Sequence, residues 1–323
     1  MKSRVKPIGG FFELEIQNKD CSYHSNAIAL SNGRACLNLI LKHIEAQRIW
    51  IPFYTCNALL KPIQTNQTPY NFYSININLE PTEDVKLKKN EYLIYINYFG
   101  LKGKFIEALI NRYNDQVIID NTQAFFDREN SKSWSFNSAR KFFGVPDGAY
   151  LYTPYDIPVD YERNTDLSCN HLLNRLLGKQ KQAYQEFIEY EKGLDDKIKK
   201  ISLISEYLLA NIDYLNVAQK RRHHFNYYHL FFEEINQFNL PLATNAIPYY
   251  YPLFVKNRID KNLLYDQNIF IPILWKDTIH RGMEGFDFEQ DLTQKLLALP
   301  IDHRYEIDDL DYVIKSIKEL LRN

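Results

Sequence analysis

Val117-Ile118-Ile119-Asp120-Asn121-Thr122-Gln123-Ala124, followed by Ser138-Ala139-Arg140-Lys141, is the stretch that decides how this chain is read. Three consecutive β-branched apolar residues have no polar face, so they suit a strand covered on both sides. Asp120 ends that run. A second short strand candidate, 134–136, leads into Lys141. An acid therefore stands at the end of an apolar strand, and an amine stands one strand and turn later.

Outward from this tract, short apolar runs alternate with segments of helical period. Strand candidates are 27–30, 48–52, 70–75, 92–97, 117–120, 134–136 and 149–152. Between the early ones lies 34–44, with Cys36, Leu37, Ile40, Leu41 and Ile44 on one face, and 102–113 reads similarly. The β-α-β alternation predicts an α/β fold with a mostly parallel mixed sheet covered by helices. From about residue 180 the texture changes. Ile198, Ile201, Ile204, Leu208, Ile212 and Leu215 recur at three- and four-residue spacing and predict one long helix. Pro241 to Pro248 is a breaker-rich joint. Beyond it, 249–255 and 268–273 read as strands, and 286–297 and 308–321 as helices, the last opening on Asp308 and Asp309. The division expected is an N-terminal arm over 1–25, a large α/β domain over 26–215 including the long linking helix, and a small C-terminal α+β domain over 216–323.

The 323 residues carry 45% apolar and 24% charged side chains, enough to bury a substantial core. A formal charge of −1 offers no attraction to nucleic acid or to an anionic membrane, and neither partner is expected. The basic run Lys220-Arg221-Arg222-His223-His224 reads as a solvated helix end. Four scattered cysteines, Cys21, Cys36, Cys56 and Cys169, form neither a disulfide framework nor a CxxC pair, so no metal site is expected. No signal peptide and no spanning run of apolar residues is evident, which makes a cytoplasmic protein the expectation. The 24 tyrosines and 20 phenylalanines could serve a sugar-binding surface, but suit a core and subunit interface better.

The acid and the amine suit pyridoxal 5'-phosphate (PLP). A carboxylate beside the pyridine nitrogen keeps it protonated, and a lysine opposite forms the Schiff base and later moves protons. Asp120 is the candidate acid, although Asp-Asn-Thr also suits a helix cap. Gln123 would lie near the ring hydroxyl. Lys141 is the candidate amine, preceded by Ser135 and Ser138 as hydroxyls for a phosphate and followed by apolar Phe142 and Phe143. Apolar surroundings would lower its pKa. Ser31-Asn32-Gly33-Arg34-Ala35, between strand and helix, can bring backbone amides to a phosphate. Tyr98-Phe99-Gly100 is a possible aromatic wall, though core packing suits it better.

Taken together these tracts resemble the DegT/StrS family of PLP-dependent sugar aminotransferases, over nearly the whole chain. Gly9-Gly10-Phe11-Phe12-Glu13 resembles the family's opening arm, Ile51-Pro52-Phe53-Tyr54-Thr55-Cys56 its second-strand exit, and Asp120-Asn121-Thr122-Gln123-Ala124 its Asp-x-Ala-Gln/His-Ala signature. Ser138-Ala139-Arg140-Lys141 resembles its lysine loop, Gly144-Val145-Pro146-Asp147-Gly148-Ala149 the turn after it, and Leu299-Pro300-Ile301 a small-domain motif. The resemblance implies an aspartate aminotransferase type of fold. It makes Lys141 the Schiff-base lysine, Asp120 the partner of the pyridine nitrogen and Gln123 the neighbour of the ring oxygen. Ser138, with the backbone of Gly33 and Arg34, would hold the phosphate, with Ser135 a second candidate.

Cys56 falls where many relatives carry a ring-stacking aromatic, so that contact is missing or supplied by Tyr98. The Gly-Asn-Tyr-Arg segment that relatives use across their dimer interface is not recognisable. Family dehydratases replace the lysine by histidine; Lys141 favours transamination. The resemblance thus implies a homodimeric transferase of polysaccharide biosynthesis that moves an amino group from glutamate to a nucleotide-linked keto-sugar. A PLP enzyme on another ketone or amino acid, and a non-catalytic sugar-binding relative, are the alternatives.

Overall fold

A computed structural model describes residues 8–17, 19, 21–128 and 132–322. Its large sheet has seven strands: β1 (Ile28–Leu30), β2 (Arg48–Pro52), β3 (Tyr70–Tyr73), β4 (Glu91–Ile96), β5 (Val117–Asn121), β6 (Trp134–Asn137) and β7 (Ala149–Tyr152). Their order is β1-β7-β6-β5-β4-β2-β3. Every neighbouring pair is parallel except those made by β7, which runs antiparallel to both β1 and β6. The mostly parallel mixed sheet expected from the alternating texture is present.

Alternation along β5 divides the interior. Ile118 packs with α1 (Gly33–His43) and α2 (Asn57–Thr65), whereas Val117 and Ile119 pack with α3 (Gly103–Tyr113) on the other face. Two residues beyond Ile118, Asp120 lies on the α1 side. On β6, Trp134 and Phe136 join the α1 layer, which turns Ser135 and Asn137 to the opposite face. Helix α1 starts where Asn32 accepts a hydrogen bond from the Ala35 amide at 3.0 Å, and its buried stripe includes Cys36, Leu37, Leu39 and Ile40.

After the sheet come α4 (Asn170–Leu176) and α5 (Gln180–Gly193), which pack as a hairpin with Ala183 and His171 as its buried residues. The long helix expected across 198–215 is broken. Ile198 and Ile201 lie in an extended segment, α6 (Leu203–Ala210) is short, and α7 (Tyr214–Phe232) is the long one. The reason is local: Ser202 caps α6 through the Ser205 amide and Asp213 caps α7 through the Asn216 amide, so two starts interrupt one apolar period.

The C-terminal part pairs β8 (Tyr250–Phe254) with β9 (Leu296–Pro300), antiparallel, over a core shared with α7 and α11 (Ile307–Arg322). Between the strands lie α8 (Asn262–Tyr265), α9 (Asp277–His280) and α10 (Asp287–Lys295). The strand expected at 268–273 is absent, although Ile269 and Ile271 are buried as a strand's apolar residues would be. The second strand is instead the run Leu296–Pro300, whose start had the spacing of a helix end. The basic run is not a solvated helix end either. It lies inside α7, where Arg221 is 1% exposed, donates to the Pro248 and Tyr249 carbonyls and covers the Phe142 ring. Burial pulls its pKa down to about 10. Arm residues 8–17 carry no helix or strand, and Phe11 and Phe12 are exposed. Among the described residues no helix is long and apolar enough to cross a membrane.

Candidate active site

The sheet delivers Asp120 at the carboxyl end of β5, buried beneath the start of α1. The Thr122 amide donates to Asp120 Oδ1 at 2.8 Å, so the chain turns back over the acid as it leaves the strand. Lys141 arrives from the neighbouring strand β6 and donates from Nζ to Thr122 Oγ1 at 3.0 Å. One threonine thus bridges the acid and the amine. Burial raises the Asp120 carboxyl above its usual range, while Lys141 and the Thr122 hydrogen bonds act in the opposite direction. A nearby cation that stays with the acid would hold it ionised.

The apolar setting expected for Lys141 is not met. Its side chain is exposed and its amine rests on a hydroxyl, because Phe142 and Phe143 turn away into a core shared with Phe125 and Val145. The short 3-10 turn Ala139–Lys141 is held by the Ala139 amide on the Gly148 carbonyl at 2.9 Å, and the Gly148 amide in turn reaches the Ser31 carbonyl at 2.6 Å. Lysine loop and α1 turn are therefore one hydrogen-bonded unit. Gly148 makes this possible at φ +120°, with no room beside Ile201: a Cβ there would come within 2.9 Å of Ile201 Cδ1.

At the α1 start, Gly33 lies against Thr122 and Phe136; a Cβ on it would meet Thr122 Cγ2 at 3.4 Å. Gly33 and Arg34 occupy the first helical positions, whose amides have no partner within the helix. Ser138 is buried at the end of β6, directly before the turn that carries Lys141. Ser135 alternates onto the face away from α1. The structure thus brings Gly33, Arg34, Asp120, Ser138 and Lys141 together and leaves Ser135 apart.

Gln123 is buried next to this group, but its Oε1 accepts from the Phe99 amide at 2.8 Å and so holds a residue at φ +60°. Tyr98 is core, as its sequence suggested: it donates to the Tyr54 carbonyl at 3.0 Å and packs on Tyr54, Tyr95 and Trp275. It has no exposed face to offer a ring. Cys56 is the residue before α2, where Arg281 is fixed by the carbonyls of Phe53 and Thr55. Burial lowers the Arg281 pKa, with Asp277 acting against it.

The donor set fits PLP. A buried acid, a lysine amine within one hydroxyl of it and free helix-start amides are present together. Two arginines, Arg34 and Arg140, stand at the same turn with buried Nε atoms that have no partner. No group of three or more His, Cys, Asp or Glu residues able to hold a metal occurs among the described residues.

No protein-family model matches the sequence, and comparison with curated proteins gives no match either. Solved structures do match across most of the chain. A DegT/DnrJ/EryC1/StrS aminotransferase from Brucella abortus aligns with a TM-score of 0.60 at 16% identity, covering 91% of this chain and 85% of its own. The sugar aminotransferase CalS13 from Micromonospora echinospora gives 0.64 at 14%, covering 91% and 87%. NtdA from Bacillus subtilis, solved with the cofactor PMP, gives 0.64 at 13%, covering 92% and 73%. This chain has the fold of the sugar aminotransferases.

Within that fold, three residues beside the candidate acid and amine were not singled out by the sequence. Thr122 stood inside the Asp120 signature, and its hydroxyl was the available signal. Arg140 adjoins Lys141 but was read as part of a loop. Glu191, which pairs with both Arg34 and Arg140, lies on a helix with no local pattern to mark it.

Proposed function

We propose that this chain is a PLP-dependent aminotransferase of the sugar-aminotransferase type. The observation that carries the reading is the convergence of Asp120, Thr122 and Lys141 at the carboxyl ends of β5 and β6, beside the start of α1. Bound there, PLP would supply a conjugated pyridinium able to take up the electrons left when a proton departs from the amino-bearing carbon.

The residues would then act as follows. Asp120 holds the positive ring nitrogen, a charge-assisted contact that favours the ionised acid despite its burial. The Lys141 amine would hold the cofactor and, when free, carry a proton at Nζ as general base and acid. Thr122 orients Lys141 through its hydroxyl while the amine is free. Gly33 and Arg34 amides and Ser138 hold the phosphate. Gln123 positions the Phe99 turn beside the acid.

The substrate reading is a nucleotide-linked keto-sugar as acceptor and glutamate as donor, in a cytoplasmic homodimer serving polysaccharide biosynthesis. The names of the matching structures support a sugar as acceptor, and Lys141, standing where a family dehydratase carries histidine, supports transamination; the nucleotide, the donor and the dimer follow from the family resemblance. Full-length protein mixed with PLP should turn yellow, and borohydride should fix the cofactor covalently on Lys141. Lys141→Ala should show neither effect. Asp120→Ala should retain PLP yet transfer amino groups at least a hundredfold more slowly, the order that a positioned ionic group contributes. Unchanged turnover in Asp120→Ala refutes the acid's role. Product formation from a panel of nucleotide keto-sugars with glutamate separates this substrate class from other ketones.

A further inference from the structure

The turn that opens α1 carries more positive charge than its surroundings balance. Arg34 is the second residue of the helix, where the helix dipole already disfavours a cation. Arg140, one residue before Lys141, comes to the same place from the β6 loop, and its side chain is only 10% exposed. Both guanidiniums converge on one carboxylate, Glu191 of α5. Arg140 Nη2 donates to Glu191 Oε1 at 2.6 Å, while Arg34 Nη2 stands 3.7 Å from Oε2, beyond hydrogen-bond reach. The Nε atoms of both arginines are buried and unpartnered. Two cations at a helix-start dipole therefore share a single carboxylate, and each cation keeps a buried donor idle.

Glu191 is loosely seated. Its side chain is 35% exposed, and the hairpin of α4 and α5 buries little beyond His171 and Ala183. Near Glu191, the hairpin is held by the Tyr190 hydroxyl on the Pro146 carbonyl at 2.8 Å and by the Arg140 guanidinium over the Tyr190 ring. The Tyr190 hydroxyl contact does not involve the carboxylate, so the hairpin keeps an anchor beside Glu191 when that side chain swings out.

We propose that Arg34 and Arg140 form a side-chain binding site for a phosphate dianion, and that Glu191 is the internal anion this phosphate displaces. A phosphate offers the second negative charge and the extra acceptor oxygens that one carboxylate lacks, and arginine forks suit its oxygens. Glu191 keeps two like charges from facing each other in the ligand-free chain and lowers phosphate affinity by competing for them. The source of the phosphate, a cofactor's ester or a substrate's diphosphate, rests on the aminotransferase reading; the site does not.

The test uses the full chain and three probes: inorganic phosphate, PLP and pyridoxal, which lacks the phosphate. Calorimetry should show Glu191→Gln binding inorganic phosphate about tenfold more tightly than the parent, and Arg34→Gln or Arg140→Gln about tenfold more weakly, one charge-assisted contact each. Arg34→Lys should recover part of the loss. Borohydride-trapped capture should favour PLP over pyridoxal, and the arginine variants should narrow that preference. Phosphate affinity unmoved by Glu191→Gln overturns the proposal, even if the arginine variants fail to fold. Equal capture of PLP and pyridoxal in parent and variants, with inorganic phosphate still following the variants, assigns the site to a substrate's diphosphate and refutes the cofactor's ester as its source. Phosphate binding that follows the variants, with no cofactor captured at all, upholds the site and refutes the cofactor reading instead.

Discussion

Replacing Asp147 by asparagine tests how the two halves of the site are held together. Asp147 is 1% exposed, in the turn between the lysine loop and β7. Its Oδ1 accepts from the Ser202 hydroxyl at 2.6 Å and from the Ser205 hydroxyl; its Oδ2 accepts from the Ser202 amide at 3.0 Å and from Asn164 Nδ2 at 2.9 Å. An asparagine side chain keeps the shape but replaces one acceptor atom with a donor. Whichever way the amide turns, two of the four donors then face N–H groups. The serine hydroxyls can rotate to relieve a clash, so the better orientation aims the NH2 at them and gives up two charge-assisted bonds. At about 1.5 kcal/mol each, with part of a desolvation penalty added, Asp147→Asn should destabilise the chain by about 3 to 4 kcal/mol. That is a large share of the roughly 5 to 15 kcal/mol that keeps a domain folded. Urea unfolding followed by circular dichroism measures it as a lowered midpoint. Because the Gly148 carbonyl holds the Ala139 amide, the same variant should also trap PLP at Lys141 more slowly under conditions where it remains folded. A loss below about 1 kcal/mol would show that the four contacts are incidental.

Three further outcomes follow from single contacts. Gly148→Ala places a Cβ within 2.9 Å of Ile201 at φ +120°, and should cost about 3 kcal/mol by thermal unfolding; an unchanged melting temperature refutes the close packing. Asp127 accepts from Asn97 Nδ2 at 2.7 Å, and burial raises its carboxyl to about 6. The folded chain then holds a proton that the unfolded chain releases, so this carboxyl's contribution to stability is fully present below about pH 4 and is lost as pH rises through about 6, about 3 kcal/mol in all. Asp127→Asn should flatten that interval, and an identical pH profile in the variant rules the assignment out. Arg281→Ala removes donors to Phe53, Thr55 and Asn57 together with its stacking on Phe53 and Phe72. It should lower stability by about 2 kcal/mol and open the segment near α9 to protease; unchanged digestion contradicts the anchoring role.

Much of the large domain was legible because its signals are local. Fully apolar runs such as Ile118-Ile119 can only be interior strands, and the 34–44 stripe can only be a helix with one face on them. Helix breaks were harder. The apolar period across 198–215 ran through two capping residues, Ser202 and Asp213, whose hydrogen bonds outweigh a stripe that continues past them. The small domain was misread at 268–273 because buried isoleucines mark an interior position without stating which partner pairs with them. Arg221 shows the same limit: five basic residues in a row look solvated until Pro248 and Tyr249 bring carbonyls to one of them.

By itself the sequence determined which residues could be strand, helix or turn, and which side chains had the chemistry for an acid and an amine at neighbouring strand ends. Only the tertiary structure decided that Thr122 joins that pair, that Ser135 faces away from it, and that Glu191 occupies two arginines 51 and 157 residues distant in the chain. The physical reason is range. Propensity and periodicity act over a few residues, whereas the direction of a side chain and the charge it meets are set by contacts that form only when remote segments pack.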